Sequence, residues 1–375
     1  MSIIIVDDNE VNLFVMNKIL KGAGYNQTKA FTSAQALYKY LKLEEPYAEP
    51  VAADLILLDI MMPEVDGIAA CRHIRQHERY KDLPIIFVTS LDDSQKLVEA
   101  LDAGGTDYIS KPINKMELLA RMRVALRLKK ELDWRKQNEK KIRKELNLAA
   151  QVQQGLLNKP IKENIQIDIV YRPSSALSGD MYYWQKFDDG RYGVMLFDVM
   201  GHGISSSLVS MFVSSILREA MRTLKEPVRV IQELNRQMTC LHREGQDTPF
   251  YFTGIYLIID PHSKSIEYIN AGHPPGYAHI DGSETIALKG GSCAIGFFEE
   301  IEVESNILTY EDHVQLLVFT DGVYEAMKMD EKEADVQLRD LTALDWQALP
   351  PVFSEFMDRL PDCQPDDICL MAIKV

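Results

Sequence analysis

Two groups of aspartates, each placed where a strand pattern ends, constrain the fold of this chain more than any other feature. One group falls within the first 112 residues and the other is spread over the C-terminal half, with a long charged stretch between them. Bringing like charges together costs free energy, so carboxylates cluster at strand ends where a cation holds them. The pattern predicts two cation-binding domains joined by a helix, in which an acidic switch controls a metal-dependent enzyme.

The charge distribution supports this division. The 375 residues carry a formal charge of −15, which argues against nucleic acid and anionic membranes as the main partners. Between residues 113 and 160, however, 13 Lys and Arg accompany 5 Asp and Glu, so this segment carries +8 and the remainder −23. A chain of this length is expected to form two or three domains, here two acidic domains flanking a basic helix.

No apolar run approaches the ~20 residues that span a bilayer, and the chain passes from Met1 directly into a strand pattern without room for a signal peptide. The five cysteines form no CxxC pair, which is typical of reduced, mostly buried thiols. We therefore expect a cytoplasmic protein. The cysteines are Cys71, Cys240, Cys293, Cys363 and Cys369.

Residues 1–125 alternate apolar strand patterns, at 3–6, 55–58, 85–88 and 108–109, with helical patterns. Such alternation predicts parallel βαβ units in a doubly wound, five-stranded α/β sheet. In these sheets the functional crevice lies beyond the carboxyl ends of the strands. The polar residues expected there are Asp7, Asp8, Asp59, Thr89 and Lys111.

These residue types suit phosphoryl chemistry. Asp7 and Asp8 offer carboxylate oxygens to Mg²⁺, and Asp59 with the Met61 carbonyl would complete the site. The cation screens the phosphoryl oxygens while Asp59 attacks as a carboxylate nucleophile. Thr89 would then hold the new phosphoryl group through its hydroxyl, together with a lysine ammonium.

The stretches VDDN, LLDIMMPEVDG, FVTS and ISKP resemble the response-regulator receiver domain over residues 1 to about 125. The resemblance implies that a sensor histidine kinase donates a phosphoryl group to Asp59, that Lys111 contacts it, and that Thr89 and Tyr108 shift together as the switch. The alternative is a receiver that has lost phosphorylation and is kept for docking. The presence of all five polar residues favours the phosphorylated form.

Residues 113–157 predict a helical linker, because they contain no Pro and only one Gly, Gly155. Spacings of three and four favour a coiled coil that joins two copies into a homodimer, although the charged centre at 133–141 fills the seam poorly. The alternative is a solvated spacer helix. The apolar seam comprises Ala125, Leu128, Leu132, Ile142, Leu146, Ala149 and Leu156.

The remainder, 158–375, predicts an α+β sandwich. Strand patterns fall at 165–171, 180–187, 192–199, 250–260, 264–270, 313–319 and 367–375, and helical patterns at 205–224 and 228–241.

Asp180 and Asp198 bracket a hairpin whose turn contains the sequence Asp-Asp-Gly. A two-residue loop would pair Asp180 with Val199 and a three-residue loop would pair it with Asp198, which places the carboxylates roughly 4.5–8 Å apart. Asp321 follows another strand and Asp366 precedes the last. Ligation by oxygen alone favours Mg²⁺ or Mn²⁺ over Zn²⁺.

The stretches LAAQVQQGLL, SGDMYYW, FDVMGHG, NAGHPP, FTDGVYEA and PDDICLM resemble the PPM/SpoIIE family of metal-dependent serine/threonine phosphatases from about residue 148 to 375. The resemblance implies an αββα sandwich with two metal ions that activate a bridging water for attack on a phosphoester. Cys369 departs from the family, which usually has Thr there. The implied ligands are Asp180, Asp198, the Val199 carbonyl, Asp321 and Asp366, with Asp367 as the alternative in the last pair.

Together, receiver, coil and phosphatase resemble the RsbU/RsbY group of general-stress (sigma-B) phosphatases. This implies dephosphorylation of a phosphoserine or phosphothreonine on a STAS-domain anti-anti-sigma protein, which activates a stress sigma factor. The alternative is a non-catalytic adaptor of the same layout that binds a sigma factor or an anti-sigma protein. Such adaptors typically lose metal aspartates, so the retained aspartates favour an enzyme.

Overall fold

The computed structural model describes residues 1–45, 47, 49–90, 94–241, 250–360 and 364–375. The internal contacts divide the chain into two compact units, Met1–Ile142 and Arg143–Val375. The boundary falls within one continuous helix, so that each unit contains part of it.

The first unit is a five-stranded parallel sheet in the order β2-β1-β3-β4-β5 with helices between the strands, which confirms the predicted doubly wound fold. The order reverses beside β1, where the carboxyl ends of β1 and β3 open a crevice. The strands are β1 (Ser2–Val6), β2 (Gln27–Phe31), β3 (Leu55–Asp59), β4 (Ile85–Thr89) and β5 (Asp107–Ser110). The helices are α1 (Glu10–Gly22), α2 (Ala34–Leu41), α3 (Gly67–Arg75), α4 (Ser94–Asp102) and α5 (Lys115–Gln154).

Buried apolar residues on both faces explain why β1, β3 and β4 form the centre of this sheet. Ile3 and Ile5 pack on the α1 and α5 side, whereas Ile4 and Val6 pack on the α2 and α3 side, as the two-residue period of a strand requires. The edge strand β2 has the sequence QTKAF with none of its residues fully buried, so periodicity did not reveal it or the following α2.

Helix α5 begins inside the core of the first unit. Leu118, Met122 and Ala125 are buried there, so Ala125 is not part of an exposed seam as the sequence predicted. Leu128 and Leu132 are exposed at 48% and 40%. These exposed side chains are compatible with a coiled coil, and the homodimer stays a prediction.

The second unit contains two six-stranded sheets. Their orders are β14-β11-β10-β9-β8, with β15 beside β11, and β13-β12-β16-β17-β7-β6. The strands are β6 (Ile161–Lys162), β7 (Gln166–Arg172), β8 (Met181–Lys186), β9 (Tyr192–Val199), β10 (Phe252–Asp260), β11 (Ser265–Ala271), β12 (Gly276–Ile280), β13 (Glu284–Leu288), β14 (Gly291–Ser292), β15 (Asn306–Thr309), β16 (Val314–Phe319) and β17 (Ile368–Lys374). The helices are α6 (Ile204–Leu224), α7 (Pro227–Thr239), α8 (Gly322–Met327), α9 (Glu331–Thr342) and α10 (Leu349–Arg359).

Three apolar layers hold these elements in the predicted αββα sandwich. Leu196 and Leu316 belong to the core between the two sheets. Phe197 faces the other way, against α6 and α7, and Phe319 packs with residues of α8, α9 and α10. Adjacent strand residues thus serve different layers, which confirms the fold class.

Several elements of this unit escaped the sequence analysis because they are short and lack a clean period. Strands β12 to β15 were not predicted, and β13 shows how weak the signal is, since only its last residue is fully buried. Helices α8, α9 and α10 were also missed. They cover the second sheet and are shorter, at 6, 12 and 11 residues, than the 21 residues of α6.

The cysteine prediction was partly wrong. Cys71 and Cys369 are buried, but Cys240 and Cys293 are exposed, and these four thiols are free. Cys363 lies outside the described residues. Among the helices that the structure describes, none combines the length and apolar character needed to cross a bilayer.

Candidate functional site

The predicted receiver residues meet at the carboxyl edge of the parallel sheet. Carboxylate oxygens of Asp7, Asp8 and Asp59 all lie within 4.8 Å of one another. The Lys111 ammonium lies 2.9 Å from Asp7 and 2.8 Å from Asp59. Burial raises the pKa of Asp59, and the Lys111 contact opposes this shift. The arrangement places the Asp59 carboxylate among oxygen donors of the type that Mg²⁺ prefers.

Local backbone features fix the position of Asp59. A Cβ atom on Gly67 would come 2.1 Å from the Asp59 carbonyl oxygen, so only glycine lets α3 begin this close to β3. The Met61 amide donates to the Asp59 carboxylate at 3.3 Å. The Asn12 side chain donates to Asp7 at 3.0 Å, a contact that sequence reasoning missed because α1 returns it to the crevice.

The predicted switch residues lie on adjacent strands. Thr89 is buried at the end of β4, and Tyr108 is half-buried on β5. The guanidinium of Arg121 on α5 lies 5.7 Å from the centre of the Tyr108 ring and donates to both oxygens of Asp107, at 2.7 and 2.8 Å. The first turns of α5 therefore contact the strand that carries Tyr108.

In the second unit, a hairpin brings Asp180 and Asp198 together. The Phe187 amide donates to the Arg191 carbonyl at 2.8 Å, which leaves a three-residue loop. With Met181 opposite Phe197, Asp180 comes opposite Asp198, so the three-residue alternative is the one observed.

The two carboxyl groups therefore lie next to each other at the end of the hairpin. The Thr320 hydroxyl donates to Asp180 at 2.6 Å, a contact that sequence reasoning missed. Burial and then the nearby Asp321 carboxylate raise the pKa of Asp198 to about 8. Burial and the Asp198 charge likewise raise the pKa of Asp180. A divalent cation would neutralise these carboxylates and relieve this repulsion.

Asp198 opens into a cleft of about 500 Å³. Asp321 is exposed and Asp366 is half-buried at its wall. Within the described residues, no three carboxylates of this unit lie as close together as those of the receiver. This wider spacing of the carboxylates suits a pair of metal ions ~3.5–4 Å apart, because two ions need more widely spread ligands than one. The cleft is lined by Asp198, Met200, Gly201, His202, Tyr251, Thr253, Asp321, Glu325, Pro365 and Asp366.

The structure distinguishes the adjacent Asp366 and Asp367. Asp367 is buried, and one of its oxygens accepts from the Ser174 amide at 2.7 Å and the Ser174 hydroxyl at 2.8 Å. Its other oxygen accepts from the Gly179 amide at 2.7 Å. Asp367 thus fixes the loop before Asp180, whereas Asp366 lines the cleft. A Cβ on Gly322 would lie 1.9 Å from the Asp367 carbonyl, so glycine is required where α8 starts.

The Val199 carbonyl lies beside the loop that precedes Asp180. A Cβ on Gly179 would approach it to 3.0 Å, so a glycine lets the loop before Asp180 pass close to the end of β9. The buried Gln153 of α5 contacts this loop as well. Its amide donates to the Ser178 carbonyl at 2.7 Å and accepts from the Ser178 amide at 3.1 Å. The Ser178 hydroxyl in turn accepts from the Asp180 amide at 3.1 Å.

The two histidines of the motifs have different surroundings. His202 is exposed at the cleft. His273 is buried, its ring nitrogen lies 2.8 Å from the Thr253 hydroxyl, and burial lowers its pKa to about 3. A neutral His273 therefore supports the loop rather than titrating near neutral pH.

Comparison with known families matches both units. The family model for stage II sporulation protein E (SpoIIE) matches residues 188–375, half of the chain. The model for the response regulator receiver domain matches residues 3–123.

Individual relatives match parts of the chain. The phosphoserine phosphatase RsbP of Bacillus subtilis is 40% identical over 184 residues, which are 49% of this chain and 46% of that protein. The DNA-binding dual master transcriptional regulator RpaA of Synechocystis sp. is 34% identical over 125 residues, 33% of this chain and 48% of that protein. The chain spans about half the length of the curated relatives it matches. The SiaA-PP2C domain of Pseudomonas aeruginosa, at 20% identity and a TM-score of 0.52, covers 64% of this chain and 98% of that domain, and shows the fold alone.

The raised pKa of Asp198 predicts how pH affects the stability of the metal-free protein. An unfolded aspartate titrates near pH ~4, so the folded state binds more protons up to about pH 8, and this contribution to stability is lost as pH rises through that window. In EDTA, the Tm should fall between about pH 5.5 and about pH 8. Asp198→Asn, whose amide does not titrate, should show a smaller fall. An equal fall in both proteins would contradict the assignment.

Asp366 and Asp367 are predicted to respond differently to replacement by Asn. In Asp367→Asn, the side-chain NH2 group would face the donors of Ser174 or Gly179, and a hydrogen bond would be lost. The free energy of unfolding should fall by about 1–3 kcal/mol, with a lower Tm in EDTA. Asp366→Asn should keep that Tm but lose the increase on addition of Mn²⁺. Thermal unfolding with and without Mn²⁺ measures both effects. The reverse pattern would exchange the two roles.

Proposed function

Since this chain belongs to the SpoIIE family and carries an N-terminal receiver domain, we propose that it is a response-regulator protein phosphatase. Residues 1–125 would form the receiver, 113–157 the helical linker and 158–375 the phosphatase. The acidic cleft around Asp198 is the observation that carries this proposal, because its carboxylates repel one another without a cation. A cytoplasmic location is part of the proposal.

The proposed substrate is a phosphoserine or phosphothreonine on a STAS-domain anti-anti-sigma protein, and the result is activation of a stress sigma factor. The likeness to a phosphoserine phosphatase, 40% identical over the part matched, supports the substrate class. The retained aspartates argue against the non-catalytic adaptor.

Two Mn²⁺ or Mg²⁺ ions are proposed for the cleft. When bound, they would lower the pKa of a water and polarise the phosphoester. The proposed ligands are Asp180, Asp198, the Val199 carbonyl, Asp321 and Asp366. Asp367 would not bind metal directly and would instead hold the loop that positions Asp180. The Thr320 hydroxyl would orient the Asp180 carboxylate through its 2.6 Å hydrogen bond.

In the receiver, Asp59 is proposed as the acceptor of a phosphoryl group from a sensor histidine kinase. Mg²⁺ would be held by Asp7, Asp8, Asp59 and the Met61 carbonyl. Lys111 already contacts two of these carboxylates, and its ammonium would neutralise phosphoryl oxygens. Thr89 and Tyr108 would then move as the switch.

Helix α5 is proposed to carry the signal, because each of its ends makes specific polar contacts. Near its start, Arg121 contacts Tyr108 and Asp107. Near its end, Gln153 holds the backbone of Ser178, two residues before Asp180. A homodimer formed through the exposed apolar residues of α5 would let two helices change their pairing when the receiver is phosphorylated.

The activity is tested with the purified chain, p-nitrophenyl phosphate and candidate phosphorylated STAS proteins. We expect hydrolysis of both that depends on Mn²⁺ or Mg²⁺, and a loss of at least about 100-fold in Asp321→Ala. Asp189→Ala, which removes an exposed hairpin carboxylate paired with Arg191, should retain activity. Full metal-dependent turnover by Asp321→Ala would show that Asp321 is not a ligand. Binding of STAS proteins without turnover would favour the adaptor.

Receiver control is tested by turnover of the STAS phosphoprotein with and without beryllofluoride. We expect beryllofluoride to raise turnover in wild type and to have no effect in Asp59→Asn, whereas Asp66→Asn, which keeps the N-cap oxygen of α3, should respond normally. Gln137→Pro costs ~3 kcal/mol locally and should abolish the response while both units remain folded. Gln137→Ala is its control. An unchanged response in Gln137→Pro would exclude the helix as transmitter.

A further inference from the structure

Three aromatic side chains, here called the aromatic row, lead from the cleft to the surface. Tyr251 lines the cleft beside Asp198. Its ring centre lies 5.1 Å from that of Phe297, which lies 4.8 Å from that of Phe298, both pairs edge to face. Phe297 and Phe298 are exposed at 46% and 54%. The row is therefore continuous with the cleft and accessible from solvent.

The loop that carries Phe297 and Phe298 is held by a buried side chain of α7. The Asn235 carbonyl oxygen accepts from the Gly296 amide at 2.7 Å. The Asn235 amide donates to the carbonyls of Phe298 at 3.1 Å and Glu299 at 3.0 Å. Gly296 has a φ of +88°, and a Cβ there would meet Met238 at 2.8 Å. The two phenylalanines are thus displayed in a fixed conformation, which lowers the entropy lost when a partner binds.

The chemistry of the cleft explains why a protein substrate needs contacts outside it. Its wall carries Asp198, Asp321, Glu325 and Asp366, which attract metal ions but offer nothing to the apolar or acidic parts of a protein. Rigid, partly exposed aromatic rings are the residue type that most often dominates protein binding energy. The exposed Glu299 and Glu300 follow the row directly and favour a basic neighbour in the partner.

We infer that the aromatic row is the docking site for the phosphoprotein substrate, and that it takes an apolar side chain, flanked by a basic residue, near the phosphorylated serine or threonine. This inference rests on the proposed phosphatase function and deepens it. The row supplies affinity and selectivity for a protein substrate over small phosphoesters. It takes no part in the hydrolysis itself.

The test compares two substrates in the full chain, p-nitrophenyl phosphate and the phosphorylated STAS protein, each with Mn²⁺. In Phe297→Ala and Phe298→Ala, kcat/KM for the phosphoprotein should fall about 10-fold or more, mainly through KM. Turnover of p-nitrophenyl phosphate should change less than about 2-fold, because neither ring is among the residues that line the cleft. Phe297→Leu, which keeps an apolar side chain, should lose less. Ile307→Ala, at a residue 69% exposed on β15, is the matched control.

Unchanged kcat/KM for the phosphoprotein in both Phe variants would overturn the inference. A parallel loss on both substrates would also overturn it, since that indicates damage to the cleft. If wild type hydrolyses p-nitrophenyl phosphate but no STAS phosphoprotein, the proposed substrate is wrong. The inference is then decided with two phosphoserine peptides, one with Leu-Lys and the other with Ser-Ser beside the phosphoserine. Preference for the Leu-Lys peptide, lost in Phe297→Ala, supports it. No preference in wild type, or a change of oligomeric state in the Phe variants that marks the row as a contact between copies, refutes it.

Discussion

The carboxyl pair of the buried Asp180 and the half-buried Asp198 is the constraint on which the second unit depends. Burial and neighbouring negative charge make full ionisation of these two adjacent acids costly, so protonation or a bound cation stabilises them. The surroundings are built to hold this arrangement. The three-residue hairpin sets the two residues opposite each other, Thr320 satisfies one carboxylate oxygen, and Asp367 ties down the loop before Asp180.

The two units solve the same electrostatic problem differently. In the receiver, Lys111 lies within 2.9 Å of both Asp7 and Asp59, so an internal cation offsets part of the repulsion. In the described part of the second unit, none of the ion pairs reaches Asp180 or Asp198. Neutralisation there must come from protons or from bound ions. Under the proposed function, this difference suits a receiver that accepts a phosphoryl group and a cleft that binds metal.

Sequence reasoning worked where one strong local pattern fixed both an element and a charge. The apolar strands before Asp59 and Asp198 predicted both the sheet edges and the carboxylates on them. It failed where the decisive partner is remote in sequence, as for Thr320, which lies 140 residues from its hydrogen-bond partner Asp180. Asp366 and Asp367 look alike in sequence, and only the loop packed against β17 separates their roles. In the sequence, Gln153 is one of several glutamines on a polar helix. Its burial follows from tertiary packing alone.

The contacts of Gln153 bear on how a helix can control the cleft. It makes three buried hydrogen bonds, two with the backbone of Ser178 and one with the Ser210 hydroxyl at 3.2 Å. At about 1 kcal/mol each, the two bonds to Ser178 couple the end of α5 to the Asp180 loop by about 2 kcal/mol. That free energy changes the ratio of two conformations by roughly 30-fold, which is sufficient for graded control but less than the ~5.5 kcal/mol of a complete switch. Full activation through α5 would therefore need a second contribution, and binding of metal by the same loop can supply it.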